Sequence, residues 1–273
     1  MTFSVVGRDP STGDLGVAVA SKFLGVGAAV PAARLAVGAI ATQSLANTLY
    51  KRDGLAALAG GADADRTLRG LLETDGNREE RQVGIVDAAG HAVTFTGRDC
   101  NNWAGGIASN NVAIQGNILT GPEVVDAMWE AWAGSKEEPL AQRLYATLVA
   151  GDAAGGDRRG RQSAALYVVS DSGGYTPGDD LAYDLRVDDH TDPVSELGRL
   201  LQMHDLLFKP PAEEDLLAMK GALAQEVHRH LLTLGYDTLD GWAGVENFEL
   251  RMRDGFVDKT VLQVLRSQAD EKR

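Results

Sequence analysis

The chain has a single cysteine, Cys100, so it forms no internal disulfide and no thiolate cluster around a metal. Positive charge is also scarce. Against 39 acidic residues stand 26 basic ones, for a formal charge of −13. A surface with that excess repels phosphate backbones and anionic headgroups, which argues against nucleic acid and against a membrane as partner. Long apolar runs are missing too: none nears the ~20 residues that span a bilayer. The opening Met1-Thr2-Phe3-Ser4-Val5-Val6 lacks the basic stretch and apolar run of a secretion signal. Together these absences predict a cytoplasmic protein. Among the few histidines, His228 and His230 fall on different sides of a helix, a spacing that does not suit a shared metal. No metal and no cofactor is expected. The glycine- and arginine-rich stretch 155–163 lacks the Gly-Lys-Ser/Thr ending of a phosphate loop.

What is present points to a packed sheet protein. The 273 residues, 44% of them hydrophobic, suffice for one large domain and a small one. The 32 glycines suit tight turns and close backbone approach. Strands are predicted at 3–8, 15–21 and 35–43, followed by helices at 47–59 and 63–74. The order then recurs, with strands at 81–87, 91–96 and 111–119 and helices at 122–133 and 139–150. Strands at 161–170 and 182–187 close the series. Hairpins followed by helix pairs suit two facing sheets with helices outside, and argue against a doubly wound parallel sheet. The expected fold is therefore α+β, a four-layer α/β/β/α sandwich over residues 1–190. An acidic stretch ending at Pro193 marks a boundary. Beyond it a small all-α domain, 191–273, is expected, with helices at 194–208, 213–234, 245–252 and 259–266.

Five segments carry a family resemblance: TFSVVGRDPSTGDLGVAVASKFLGVG, GAIATQSLAN, RQVGIVDAAG, VAIQGNIL and GGDRRGRQSAAL. In this order, from Thr2 to about Val187, they resemble the family catalogued as domain of unknown function 1028, which is assigned to the Ntn-hydrolase superfamily. The resemblance implies the four-layer sandwich and a hydrolytic ancestry, without a substrate. The tail segments LAQEVHRHLLTLGY and DGWAGVENFELRMRDGFVDKTVLQVL are similar to a helical peptidoglycan-binding-like domain.

The superfamily resemblance implies an N-terminal nucleophile, in which one residue is both attacker and base. An α-amine has a reference pKa of ~7.7–8.0, so part of it is neutral near pH 7 and able to take the proton of its own hydroxyl. Thr2 fills that position once Met1 is removed; the plain alternative is a threonine that simply starts a strand. Ser21 and Lys22 end the second strand beside Thr2, where Lys22 is suited to hold a positive charge near the reacting group. The third strand offers no lysine for that role, a departure from the usual pattern. Asn117 and Gln115 are amides within a buried strand and need partners there, and Ser163 is suited to orient Thr2. Gln43 and Asn47 are suited to donate to a carbonyl oxygen, although Asn47 equally suits a helix cap. Asp157, Arg158 and Arg161 make either a grip for a substrate carboxylate or an internal ion network bracing their own loop. Cys100 reads as a packed thiol.

Three readings follow. The first is an amidohydrolase cleaving a small amide or peptide. The second is a noncatalytic scaffold holding a small carboxylate- or amide-bearing ligand. The third is a binder of cell-wall fragments that uses Tyr236, Trp242 and Phe256, rings a small helical domain is expected to bury. The expected partner is a small molecule or peptide, and a symmetric homodimer is the default assembly.

Overall fold

The computed structural model describes residues 2–171 and 173–272. Its elements, in chain order, are β1 (Thr2–Arg8), β2 (Leu15–Ser21), α1 (Val26–Ala29), β3 (Pro31–Arg34), β4 (Gly38–Ser44), α2 (Leu49–Ala59) and α3 (Ala64–Glu73). Next come β5 (Arg81–Asp87), β6 (Ala92–Thr96), β7 (Gly105–Ser109), β8 (Val112–Asn117), α4 (Glu123–Gly134) and α5 (Leu140–Ala153). Then follow β9 (Ser163–Val169), β10 (Leu181–Val187) and α6 (Pro193–Phe208).

Six strands form one sheet in the order β10-β9-β2-β1-β8-β7, and four form another, β3-β4-β5-β6. The sheets face each other through β1 and β8 on one side and β4 and β5 on the other. Helices α4 and α5 cover the outer face of the larger sheet, and α2 and α3 that of the smaller one. The fold is α+β with four layers, as the hairpin-and-helix-pair order predicts.

Because both faces of each central strand are covered, β1 and β2 are buried nearly throughout. Strand alternation sorts their side chains. Phe3 and Val5 look towards the helices, whereas Thr2, Ser4 and Val6 look into the seam between the sheets. On the helix side, a Cβ at Gly7 would run into Trp132 and Leu144, so the bare backbone lets α4 and α5 sit close. At the outer corner of the smaller sheet, Asp87 accepts from the backbone N–H of Ala64, Ala89 and His91 and contacts the His91 ring. It thereby fastens the start of α3 to the end of β5.

Two strands lie outside the expected set, and two helices of the tail need correction. Pro31–Arg34 and Gly105–Ser109 are strands; both lie at sheet edges, paired on one side only. In the tail, the helix expected from 213 starts later. Leu216–Ala218 (β11) instead pairs with Phe256–Asp258 (β12), and α7 runs over Gly221–Leu234. The helix expected at 245–252 is replaced by α8 (Leu239–Val245) and a short 3-10 turn at Glu249–Arg251; α9 (Lys259–Glu271) ends the series.

The chain divides into two compact units, Met1–Arg199 and Leu200–Arg273. The division falls inside α6. The second unit has its own core around Trp242, Val261 and Leu265. Gly235, at φ 93°, ends α7 in the left-handed conformation, and the N–H groups of Gly235 and Tyr236 both return to the Leu231 carbonyl, which explains the Leu-Gly-Tyr sequence. Asp258 caps α9 and accepts a 2.8 Å bond from the buried Arg251 guanidinium. No helix among the described residues is long and apolar enough to cross a membrane.

Candidate functional site

The seam between the sheets has two unlike halves. One is apolar: Val6, Leu15, Val17, Val19, Ala39, Ala41, Val86 and Ala113 are buried together. The other, at the end where β1 begins, is filled with hydroxyls and amides: Thr2, Ser4, Ser21, Gln43, Gln82, Gln115 and Asn117, none more than 6% exposed.

Register places them. Thr2 pairs with Asn117 across β1–β8, Phe3 with Ala20 across β1–β2, and Gln43 with Gln82 across β4–β5. Partners across a ladder point to the same face. Asn117, Thr2 and Ser21 therefore form a row on adjacent strands, facing the two glutamines of the opposite sheet.

The hydrogen bonds follow from that geometry. The Thr2 and Ser21 hydroxyl oxygens lie 3.1 Å apart. The Thr2 carbonyl accepts from Gln43 Nε2 at 3.3 Å and from Asn117 Nδ2 at 3.4 Å. Gln82 Oε1 accepts from both of those amides, at 2.8 and 2.9 Å, while its Nε2 donates to Thr96 Oγ1 and to the carbonyls of Gly105 and Gly116. Ser4 donates to Gln43 Oε1 and accepts from Gln115 Nε2, each at 2.7 Å. A Cβ on Gly84 would collide with the Gln115 amide, so a side chain there would force the sheets apart. Asn117 Oδ1 is buried and lacks a partner among the described residues.

Of the expected site residues, Thr2, Ser21, Gln43, Gln115 and Asn117 come together here. Others do not. Ser163, expected to orient Thr2, is separated from it by β2; its hydroxyl donates to the Phe23 carbonyl and accepts from the Val26 N–H. The Lys22 ammonium, expected beside the reacting group, donates to the Arg161 carbonyl at 3.2 Å. Asp157 accepts the Lys22 N–H at 2.7 Å and pairs with Arg159, while Arg161 pairs with Asp152 at 2.8 Å. The loop's ions thus brace one another, and Arg158 is exposed. A recess of about 10 Å³ is lined in part by Ser21 and Asp157. Met1, whose removal the nucleophile role requires, lies outside the described residues.

Asn47 belongs elsewhere. Its Oδ1 accepts from the Leu49 N–H at the start of α2, and its Nδ2 donates to Asp75 Oδ2 at 3.2 Å. Asp75 also accepts from the Tyr50 hydroxyl at 2.8 Å and from Arg81 Nε at 2.9 Å. This cluster closes one end of a groove of about 620 Å³ between α2 and α3. Burial alone would raise the Asp75 carboxyl, but the Arg81 guanidinium and the Asn77, Asn47 and Tyr50 donors hold it far below the usual carboxylate range. Burial and the same carboxylate push the Tyr50 phenol up. A depressed folded-state value gives stability that is present above the unfolded value of ~3.9 and lost as pH falls through the folded one. Asp75→Asn should therefore cost about 3 kcal/mol at neutral pH, with the gap to wild type closing below about pH 4. Urea unfolding across pH checks this; a constant gap would show that the carboxylate charge is irrelevant.

Sequence reading missed Gln82, the hub of the network. Its signal was an amide inside the otherwise apolar RQVGIVD strand. Cys100 is half-buried, as its reading as a packed thiol predicts; it donates to the Arg81 carbonyl, and burial pushes its thiol up. Trp242 is fully buried, with its indole N–H on Gln268. It is core rather than the wall of a groove.

Comparison with known proteins adds a family. Residues 2–197 match the model described as "Family of unknown function (DUF1028)", and residues 206–265 match one described as "Putative peptidoglycan binding domain". A crystal structure of a protein from Silicibacter pomeroyi, matched to the same DUF1028 model, aligns with a TM-score of 0.67 at 28% identity. The alignment covers 82% of this chain and 92% of that one. No curated protein matches the chain.

Proposed function

Because the chain belongs to DUF1028, a family whose name supplies no activity, we propose its function from the seam itself: hydrolysis of a small amide or peptide bond by Thr2 acting as an N-terminal nucleophile. One observation carries this. The half of the seam that meets Thr2 is packed with neutral hydroxyls and amides, none of which takes up a proton near pH 7. Such a filling stabilises the fold little: each buried hydrogen bond contributes about 1 kcal/mol net, whereas a buried Val or Leu contributes about 1.5–3 kcal/mol. The row is set up to hold and donate, and it lacks a base. An α-amine on Thr2 is the group that supplies one.

In this scheme the Thr2 hydroxyl attacks the carbonyl carbon of the amide while the α-amine takes its proton. The C–N bond breaks, the proton passes to the leaving amine, and an ester on Thr2 remains. Water then cleaves that ester, and the acid departs. Ser21, 3.1 Å from the hydroxyl, orients it. Asn117 is suited to hold the amine through its unpartnered Oδ1. The four-layer sandwich supports the reading, because β1 places Thr2 on an interior strand of a sheet whose face meets the seam.

The test is to compare hydrolysis of an amide panel before and after methionyl aminopeptidase treatment, with intact mass recording the chain start. Turnover should rise with the fraction of molecules beginning at Thr2. Equal turnover by protein that retains Met1 would end the proposal.

A further inference from the structure

Four large, exposed hydrophobic side chains of the first unit follow strands that end beside Thr2: Phe23 at 54% and Leu24 at 64% on the loop after β2, Leu45 at 62% on the loop after β4, and Leu49 at 53% at the start of α2. Phe23 comes two residues after Ser21, whose hydroxyl touches Thr2, and Leu45 comes two residues after Gln43, whose amide holds the Thr2 carbonyl. Two residues reach no further than about 7 Å. Both loops therefore leave their strands at the Thr2 end of the seam, one from each sheet.

These loops are not slack. In the first, the Lys22 N–H is held by Asp157, the Phe23 carbonyl and Val26 N–H by the buried Ser163 hydroxyl, and the Gly25 N–H by the Asp188 carbonyl. In the second, Ser44 turns through φ 71°, the Leu45 N–H donates to the Glu80 carbonyl, and the Leu45 carbonyl accepts from Arg81 at 2.6 Å. The Lys51 ammonium ties α2 to the Ala28 carbonyl at 2.8 Å. The backbone is fastened on all sides while the apolar side chains stay in water. An apolar patch held rigidly in solvent marks a binding site.

We infer that this rim seats the acyl side of the substrate, and that the amide Thr2 cleaves carries an apolar acyl group gripped between Phe23–Leu24 and Leu45. The inference rests on Thr2 as the attacking residue. It also gives Ser163 and Asp157 work as positioning residues: they aim the Phe23 turn rather than the nucleophile.

The experiment has two arms. In the first, anilides from acetyl to octanoyl are hydrolysed by wild type, Phe23→Ser, Leu45→Ser and the control Val149→Ser. Wild type should show KM falling up to about fourfold per added methylene. Phe23→Ser and Leu45→Ser should lose about tenfold or more for octanoyl relative to acetyl, and the control should keep the preference. In the second arm, octanoate and acetate are titrated calorimetrically; octanoate alone should bind, and both rim variants should lose it. Hydrolysis indifferent to chain length would overturn the apolar seat while leaving the nucleophile standing. No turnover at any length, with octanoate still bound, would remove the hydrolase reading and keep the seat. A wild-type dimer that the rim variants split into monomers would show that a second copy covers the patch, and would overturn the inference.

Discussion

If Thr2 is the nucleophile proposed above, Thr2→Ala should lower amide hydrolysis on the order of 10³-fold or more, through kcat, while the protein still folds. Loss of a nucleophile removes an interaction made only on the way to the transition state, so binding of the substrate should change little. The fold should survive because the substitution deletes one hydrogen bond, that to Ser21, at a cost of about 1 kcal/mol. Thr2→Ser keeps an attacking hydroxyl and should retain most of the rate. The wild-type pH profile should rise as the α-amine loses its proton and level off above the reference range of ~7.7–8.0. Equal rates for wild type and Thr2→Ala would move the chemistry away from the chain start.

The second large effect concerns Gln82. Gln82→Leu should destabilise the protein by about 3 kcal/mol and lower Tm by roughly 6–12 °C. The amide is fully buried and serves five partners drawn from both sheets. A leucine fills much of the volume but leaves the donors of Gln43 and Asn117 with longer contacts alone, to the Thr2 carbonyl and, for Gln43, the Gln115 carbonyl. Calorimetric melting decides the matter. A shift under about 1 °C would mean that the seam tolerates an apolar hub, and that its amides are not coupled.

Much of the sandwich is legible in the sequence because its central strands are buried on both faces and read as unbroken apolar runs. The edges are not. Gly105–Ser109 has two glycines and a serine among its five residues, and its pairing with β8 makes it a strand. Leu216–Ala218 looks like the first turn of an amphipathic helix until Phe256–Asp258, forty residues away in round terms, comes to pair with it. At the site, strand alternation suffices to nominate Gln115 and Asn117, since amides are costly inside a buried strand. It does not reveal Gln82, which matters because Gln43 stands opposite on a neighbouring strand and Asn117 meets it from the facing sheet. Asn47 and Ser163 illustrate the converse error. Their residue types suit a catalytic centre, yet one caps a helix and the other braces a turn, and only three-dimensional distance separates those duties.

The place of β1 has a practical corollary. Hydrogen-bonded from its outset to β2 on one flank and β8 on the other, this strand leaves an affinity handle fused ahead of Thr2 no room to dangle from a free margin. Such a fusion also blocks the amine that the proposed mechanism needs, so recombinant protein intended for kinetics is better captured by its opposite end.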